Sequence, residues 1–445
     1  MSSVRGTPNQ ALFAATVGFF SGFAAVALFG PTAARFQASM KLGSMAVGVL
    51  VAIPALTGSL LRIPFAAWVD STGGRKPFLC LLALSLVGMM GLTALVTFIA
   101  PERLGPSFFP LVLVFGMLSG CGIATFSVGV SQVAYWFPRH MQGRALAIFA
   151  GAGNLAPGIF SLLLPVALSQ WSLSVCYIAW LVFLAAGTGL YTLLGHDAPY
   201  FQLRRHGEPV DRALALATER GQALFPAGRL VESLRTSALT WQTWALVLVY
   251  FTTFGGFIAL TAWLPTYWKS FFACSAVTAG FLTALYSILT SVIRIAGGVL
   301  ADQLHEGGEN TAILALFITL AGALLMTSAR EFELALPGVL LLAFGMGICN
   351  AAVFKLVPQS VPQAVGGAAG WVGGLGAFGG FVIPPMMAFA VNDLGDKGYA
   401  IGFVIFTFLT LISLTAIWVL KYTRDSAPAA IPGAVSRPFV EPGRG

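Results

Sequence analysis

The sequence predicts an all-α membrane protein, with twelve transmembrane helices in two six-helix bundles. Hydrophobic residues make up 57% of the 445 residues and charged residues only 9%; the mean hydropathy is +0.86. That leaves too little polar surface to coat a water-soluble globule. Apolar runs of about 20 residues recur along the chain, each long enough to cross the hydrocarbon while its backbone satisfies itself. One long polar interruption, from Gly195 to Thr240, divides these runs six and six, as expected of two similar bundles joined by a linker.

The first six runs fall at 11–35, 44–69, 78–100, 108–136, 143–169 and 173–195. The second six fall at 241–266, 274–301, 311–328, 336–354, 364–391 and 398–421. Residues 11–195 therefore read as an N-terminal bundle, 196–240 as a linker on the cytoplasmic side and 241–422 as a C-terminal bundle. The stretch 423–445, proline-rich after Ala427, reads as a disordered cytoplasmic tail. Within the linker, Val210 to Leu224 and Leu230 to Leu239 suit short interfacial helices with one apolar face. Met1 to Gln10 is short and polar and leads straight into a full span, so no cleavable signal is expected.

Arg75, Lys76, Arg139, Arg144, Arg204, Arg205 and Arg212 crowd one side of the predicted topology, while the other side carries only scattered residues such as Lys41, Arg103 and Lys269. This asymmetry puts both termini in the cytoplasm. It also accounts for the net charge of +8 without a nucleic-acid partner. Cys80, Cys121, Cys176, Cys274 and Cys349 lie in or beside apolar runs without metal spacing. They read as small packing residues, and neither metal nor cofactor is expected.

The chain is organised around Leu61-Arg62-Ile63-Pro64 through Asp70 and its match, Ile293-Arg294-Ile295-Ala296 through Asp302. In each, an arginine precedes an aspartate by eight residues inside an apolar run. An arginine near mid-bilayer costs about 2.5 to 3.5 kcal/mol on insertion scales, and no acidic partner is encoded at that depth. Two such arginines roughly 8 Å apart repel by about 2 kcal/mol at an effective dielectric near 20, whereas an anion about 4 Å from each gains about 4 kcal/mol twice. The planar guanidinium suits a planar oxyanion bidentately. Each arginine could instead cap helix carbonyls or snorkel, a reading weakened by the match across the repeat.

Lys355, at the end of the tenth run, reads as snorkelling. Loops at matching places follow the arginine stretches: Asp70-Ser-Thr-Gly73-Gly-Arg75-Lys76, and Asp302-Gln-Leu-His305. Glycine-rich stretches match as well, Gly151-Ala-Gly153-Asn154-Leu-Ala-Pro157 against Gly370-Trp-Val-Gly373-Gly-Leu-Gly376-Ala-Phe-Gly-Gly380. Such density weakens a helix unless neighbouring backbones or a ligand approach closely. Asn154 is either helix-helix glue or a site residue. Tyr250, Phe254 and Phe126 are packing residues or the walls of a dry site.

These residues resemble the nitrate/nitrite porter family of the major facilitator superfamily. The Asp70-x-x-Gly73-x-Arg75-Lys76 loop is similar to the superfamily's general signature, with Ala66 where its leading glycine usually stands and His305 replacing glycine in the second copy. Ala150 to Ala156 resembles the family's first nitrate signature, ending in Ala where Gly is usual; Gly370 to Gly380 resembles the second, and Asn350 to Pro358 also has the family look. The resemblance implies the major facilitator fold, in a bacterial inner membrane, and binding of nitrate and nitrite. It implies substrate contacts from Arg62, Arg294, Tyr250, Phe254 and Phe126, with Asn154, Gly151, Gly153, Gly373 and Gly376 around them. Asp70, Gly73, Arg75 and Asp302 would then be conformational residues.

The expected function is therefore alternating-access transport of nitrate and nitrite by a monomer. Proton symport usually uses an acid or histidine in the membrane, but His140, His196, His206 and His305 fall in loops and the runs lack central acids. Exchange of nitrate for nitrite needs no proton carrier and is the favoured coupling; proton-coupled uptake, transport of another small oxyanion and an anion channel remain alternatives. No nucleophile motif, His cluster or metal spacing points to an enzyme.

Overall fold

In the computed structural model, which describes residues 4–99, 104–225, 230–304, 307–361 and 364–425, every regular element is helical. Among the described residues, twelve helices are long and apolar enough to cross a membrane. In the first half they are Pro8–Ala27, Ser44–Thr72, Arg75–Phe98, Pro106–Trp136, Arg144–Gln170 and Leu173–Leu194. In the second they are Trp241–Phe271, Ala276–Ala301, Gly308–Ser328, Phe332–Ser360, Val365–Leu394 and Lys397–Thr423. Large apolar side chains face outward, among them Phe98, Leu193, Phe408 and Trp418, the surface a bilayer solvates. The five cysteines are free thiols.

Several boundaries differ from the sequence reading for identifiable reasons. The first span ends at Ala27, and Ala33–Met40 forms a separate helix. Pro31 lacks the N–H that continuation requires and disfavours helical backbone at Gly30. The seventh span runs on to Phe271 despite Pro265 inside it. The linker helix beginning at Val210 stops at Glu219, before Gly221 turns the chain at φ 85. The linker also carries a helix over Pro199–Arg205. The last helix continues to Asp425; residues 426–445 of the expected tail lie outside the described residues.

The two halves meet most closely away from the linker. There the second span packs on the eleventh and the fifth on the eighth. A Cβ on Gly48 would sit 2.5 Å from the Cβ of Ala388, and one on Gly158 would sit 2.8 Å from Ile288. Towards the linker face the packing is uneven, since a Cβ on Gly374 would meet Ile63 of the second span at 2.6 Å. A Cβ on Gly151 would find only Ile295, at 4.0 Å, and one on Gly373 would find nothing within 4 Å.

The linker is packed rather than loose. Asp197, 2% exposed, accepts the backbone N–H of Arg75 at 2.8 Å and pairs with Arg205 at 2.6 Å. Arg205 also donates to the carbonyl of Thr72, so the turn after the second span is tied to the segment after the sixth. At the other end, helix Leu230–Ala238 lies on the start of the eleventh span. Ser233 Oγ accepts the N–H of Gly367, and the Trp371 indole donates to the carbonyl of Leu234, each at 3.0 Å.

Gly73 sits in this turn at φ 84 and ψ 171, a conformation essentially reserved for glycine, and a Cβ there would strike the Asp197 carboxylate. Gly73→Ala is expected to lower stability by at least about 1 to 3 kcal/mol through strain alone, measured as a fall in melting temperature. Gly105→Ala, at φ −95 and with no atom within 4 Å, is expected to change it little.

Candidate functional site

The second span is built from two segments, Ser44–Leu60 and Arg62–Thr72, meeting at Leu61. Pro64 cannot return an N–H to the carbonyl of Leu60, so the helix is discontinuous where Arg62 enters the core. The eighth span has Ala296 in the matching place and runs unbroken through Arg294, from Ala276 to Gln303. Arg62 is 0% exposed. Its Nε donates to the carbonyl of Gly58 at 3.1 Å and its Nη1 to the carbonyl of Gly373, across in the other half, at 3.2 Å. Its Nη2 is buried with no partner, as is Nη1 of the half-buried Arg294. Among the described residues neither arginine has a carboxylate partner.

Both cations lie against one aromatic ring. The guanidinium carbon of Arg62 is 5.2 Å from the Phe254 centroid and that of Arg294 is 5.8 Å from it. The two charges can therefore be no further apart than those distances laid end to end. Arg62 also faces Phe126 at 5.1 Å, and Arg294 faces Phe354 at 5.8 Å. Tyr250 stacks on Phe254 with centroids 4.8 Å apart, and Phe354 meets Tyr250 edge-on at 5.1 Å. Phe19 and Phe149 back Phe126 at 5.3 and 6.0 Å. The seventh span makes a π-helical turn over Phe251–Gly255, directly after Tyr250 and containing Phe254. Such a wider turn reorients side chains and is common at functional sites. Tyr250 Oη is buried without a hydrogen-bond partner.

The glycine-rich stretches meet this centre in different ways. The fifth span breaks at Leu155, between Arg139–Asn154 and Ala156–Gln170, where Pro157 interrupts the ladder. Asn154 is 2% exposed with its Oδ1 unpartnered, and its backbone carbonyl accepts Ser291 Oγ of the other half at 3.1 Å. The eleventh span breaks at Phe378. Gly153 presses on Phe19, and a Cβ on Gly376 would lie 2.7 Å from the Tyr250 ring. These two glycines therefore let an aromatic wall approach the helix rather than lining open space. Gly151 and Gly373 do border open space, and Gly373 contributes the carbonyl held by Arg62.

The conformational candidates lie at the linker face, remote from this centre. Tyr135 Oη donates to Asp70 Oδ1, and Arg75 donates through Nη2 to the carbonyl of Thr192 at 2.8 Å. Asp302 belongs to the eighth helix, but its side chain lies outside the described residues, as does His305. Lys355 Nζ reaches the carbonyl of Ala301 at 2.5 Å. Glu309 is 1% exposed in the first turn of the helix that opens the ninth span. His196 is held below its ordinary pKa chiefly by burial, with Arg75 and Arg5 adding to the effect, so its ring stays neutral at physiological pH.

The pattern of the Major Facilitator Superfamily matches residues 14–384. A probable nitrate/nitrite antiporter, NarK1 of Thermus thermophilus, is 30% identical, covering 94% of this chain and 93% of its own. The chain belongs to the nitrate/nitrite porter family of the major facilitator superfamily. A nitrite extrusion protein of Bacillus subtilis (strain 168) is 29% identical over 90% of this chain and 91% of its own. The fold is shared with the partially occluded inward-open conformation of the E. coli xylose transporter XylE, at a TM-score of 0.69 and 15% identity, covering 93% of this chain and 99% of that one.

Three features of this porter-family site escaped the sequence reading. Phe354 and Asn350 lie within the Asn350–Pro358 stretch quoted for its family look, and their i, i+4 spacing puts them on one helix face. Phe19 and Phe149 are indistinguishable in sequence from other buried aromatics. Asp197 stands two residues beyond the apolar run ending at Gly195, and the cluster of arginines nearby is the signal that could have found it.

The contrast between glycines is testable. Gly376→Ala is expected to displace Tyr250 and to lower both melting temperature and anion affinity, the latter by about tenfold or more. Gly373→Ala, with free space for its Cβ, is expected to keep or raise the melting temperature, since alanine favours helix by about 1 kcal/mol.

Proposed function

We propose that this chain exchanges nitrate and nitrite across a bacterial inner membrane by alternating access, binding one anion between Arg62 and Arg294. The observation carrying this reading is two cations from opposite halves against one Phe254 ring, each with a buried N–H lacking an acceptor. Two like charges at this range repel by about 2 kcal/mol at an effective dielectric near 20, and a small anion between them reverses the sign. The planar, five-donor guanidinium fits the oxygens of a planar or bent oxyanion. The names of relatives support the substrate class: nitrate/nitrite antiporter, nitrite extrusion protein and probable nitrate transporter.

In this proposal Tyr250, Phe254 and Phe126 exclude water from the anion, Asn154 offers it a polar edge, and Gly151 and Gly373 leave it room. Gly153 and Gly376 set the walls. Asp70, Gly73, Arg75 and Asp302 serve the change of conformation at the linker face, with both termini cytoplasmic and the protein a monomer that binds no nucleic acid. Exchange is favoured over proton symport because no described acid approaches the arginines. It also moves no net charge, avoiding about 2.3 kcal/mol per 100 mV against an inside-negative potential.

Arg62→Lys and Arg294→Lys are each expected to weaken nitrate binding at least about tenfold although the charge is kept, because lysine lacks the planar fork. Unchanged affinity in both would sink the clamp. In proteoliposomes, nitrate uptake is expected to require nitrite or nitrate inside and to ignore an imposed pH gradient. Uptake into empty vesicles driven by that gradient would instead establish symport.

A further inference from the structure

Asn350, in the tenth span, is 2% exposed and its Oδ1 has no hydrogen-bond partner. Its depth follows from how the eighth and tenth spans lie side by side. A Cβ on Gly347 would meet the carbonyl of Thr290 at 2.6 Å and Ile293 at 3.0 Å, and one on Gly297 would meet Ile348 at 2.7 Å. Further along, Lys355 Nζ reaches the carbonyl of Ala301 at 2.5 Å. Arg294 falls between these contacts, and Asn350 lies within one turn of its level. Its direction follows from the helix face. One turn before it is Met346, whose sulfur accepts Tyr286 Oη at 3.2 Å. One turn after it is Phe354, which faces Arg294 at 5.8 Å and Tyr250 at 5.1 Å. Residues four apart share a face, so Asn350 points toward the seventh and eighth spans, within one turn of the clamp's level.

A buried amide in a membrane helix ordinarily glues two helices together. Glue requires a partner, and the Asn350 Oδ1 has none; an unsatisfied buried polar group is destabilising and uncommon. Asn154 stands in the same condition on the other side. Each half thus contributes one arginine with an unpartnered N–H and one amide with an unpartnered oxygen.

We infer that Asn350 is a further substrate-contacting residue, whose amide donates to the oxygen of a trigonal oxyanion that the two guanidiniums leave over. The inference rests on the reading of Arg62 and Arg294 as the anion site. An oxyanion has no hydrogen to give Oδ1, so the contact takes the amide turned about its last torsion, with the two Nδ2 donors in the place where the unpartnered oxygen now stands. Nitrate has three oxygens in a plane and nitrite two, so the amide favours nitrate.

The test is nitrate and nitrite affinity of the purified full-length protein, by calorimetry, with melting temperature recorded in parallel. Asn350→Leu removes both donor and acceptor at similar volume. It is expected to raise the Kd for nitrate about 10- to 100-fold and that for nitrite several-fold less, without lowering the melting temperature. Nitrate affinity within twofold of the parent, or equal losses for the two ions, would overturn the inference. Should the leucine variant fail to fold, Asn350→Asp decides. A carboxylate within one turn of Arg294's level is expected to replace the anion and to suppress nitrate binding at neutral pH, and retention of binding would count against contact. Arg62→Lys and Arg294→Lys, run alongside, separate the two readings: normal binding in both defeats the anion site itself, whereas loss there with normal Asn350→Leu defeats only this inference.

Discussion

The site depends on a repulsion. Arg62 and Arg294 hold like charges against the Phe254 ring with no described carboxylate to balance them. Part of that cost is met locally. Arg62 gives two of its donors to the carbonyls of Gly58 and Gly373, and the faces of Phe126, Phe254 and Phe354 attract the guanidiniums through their quadrupoles. The remaining buried N–H groups leave the arrangement incomplete, and in the proposed reading an anion completes it.

The backbone around this centre is irregular in a consistent way. Junctions or altered turns fall at Leu61, Leu155, Phe378 and Phe251–Gly255, each beside residues of the candidate site. Within a membrane, backbone groups freed from a helix ladder must be satisfied by protein or a bound ligand. The carbonyls of Gly373 and Asn154, close to two of these junctions, accept Arg62 and Ser291 from the opposite half. These two hydrogen bonds cross between the halves at the depth of the site, so the same groups that bound the centre also join the bundles there.

The linker completes the mechanical picture. Asp197 fastens the turn after the second span through Arg75 and Arg205, and helix Leu230–Ala238 grips the start of the eleventh span through Ser233 and Leu234. The second and eleventh spans are also the ones that carry Arg62 and Gly373. Any motion of these helices at the linker face is therefore felt by the segment that joins the halves.

The sequence by itself determined the class of fold, the number of spans and the identity of the two arginines. Hydrophobic run length sets how often a chain crosses a bilayer, and a charge within such a run is conspicuous against 9% charged residues overall. It also marked Asn154 through the matching glycine-rich stretches, and Tyr250, Phe254 and Phe126 as packing or site walls that only the resemblance assigned to the site, because an aromatic in an apolar helix carries no mark of what it faces. Only the tertiary structure decided that Phe254 is shared by both cations and that Gly376 backs a wall while Gly373 offers a carbonyl. It likewise brought Phe354 against Arg294 and buried Asp197 within the linker. Those facts depend on helix rotation and on the register between neighbours, which arise from side chains meeting across the whole bundle and leave no periodic trace in any one segment.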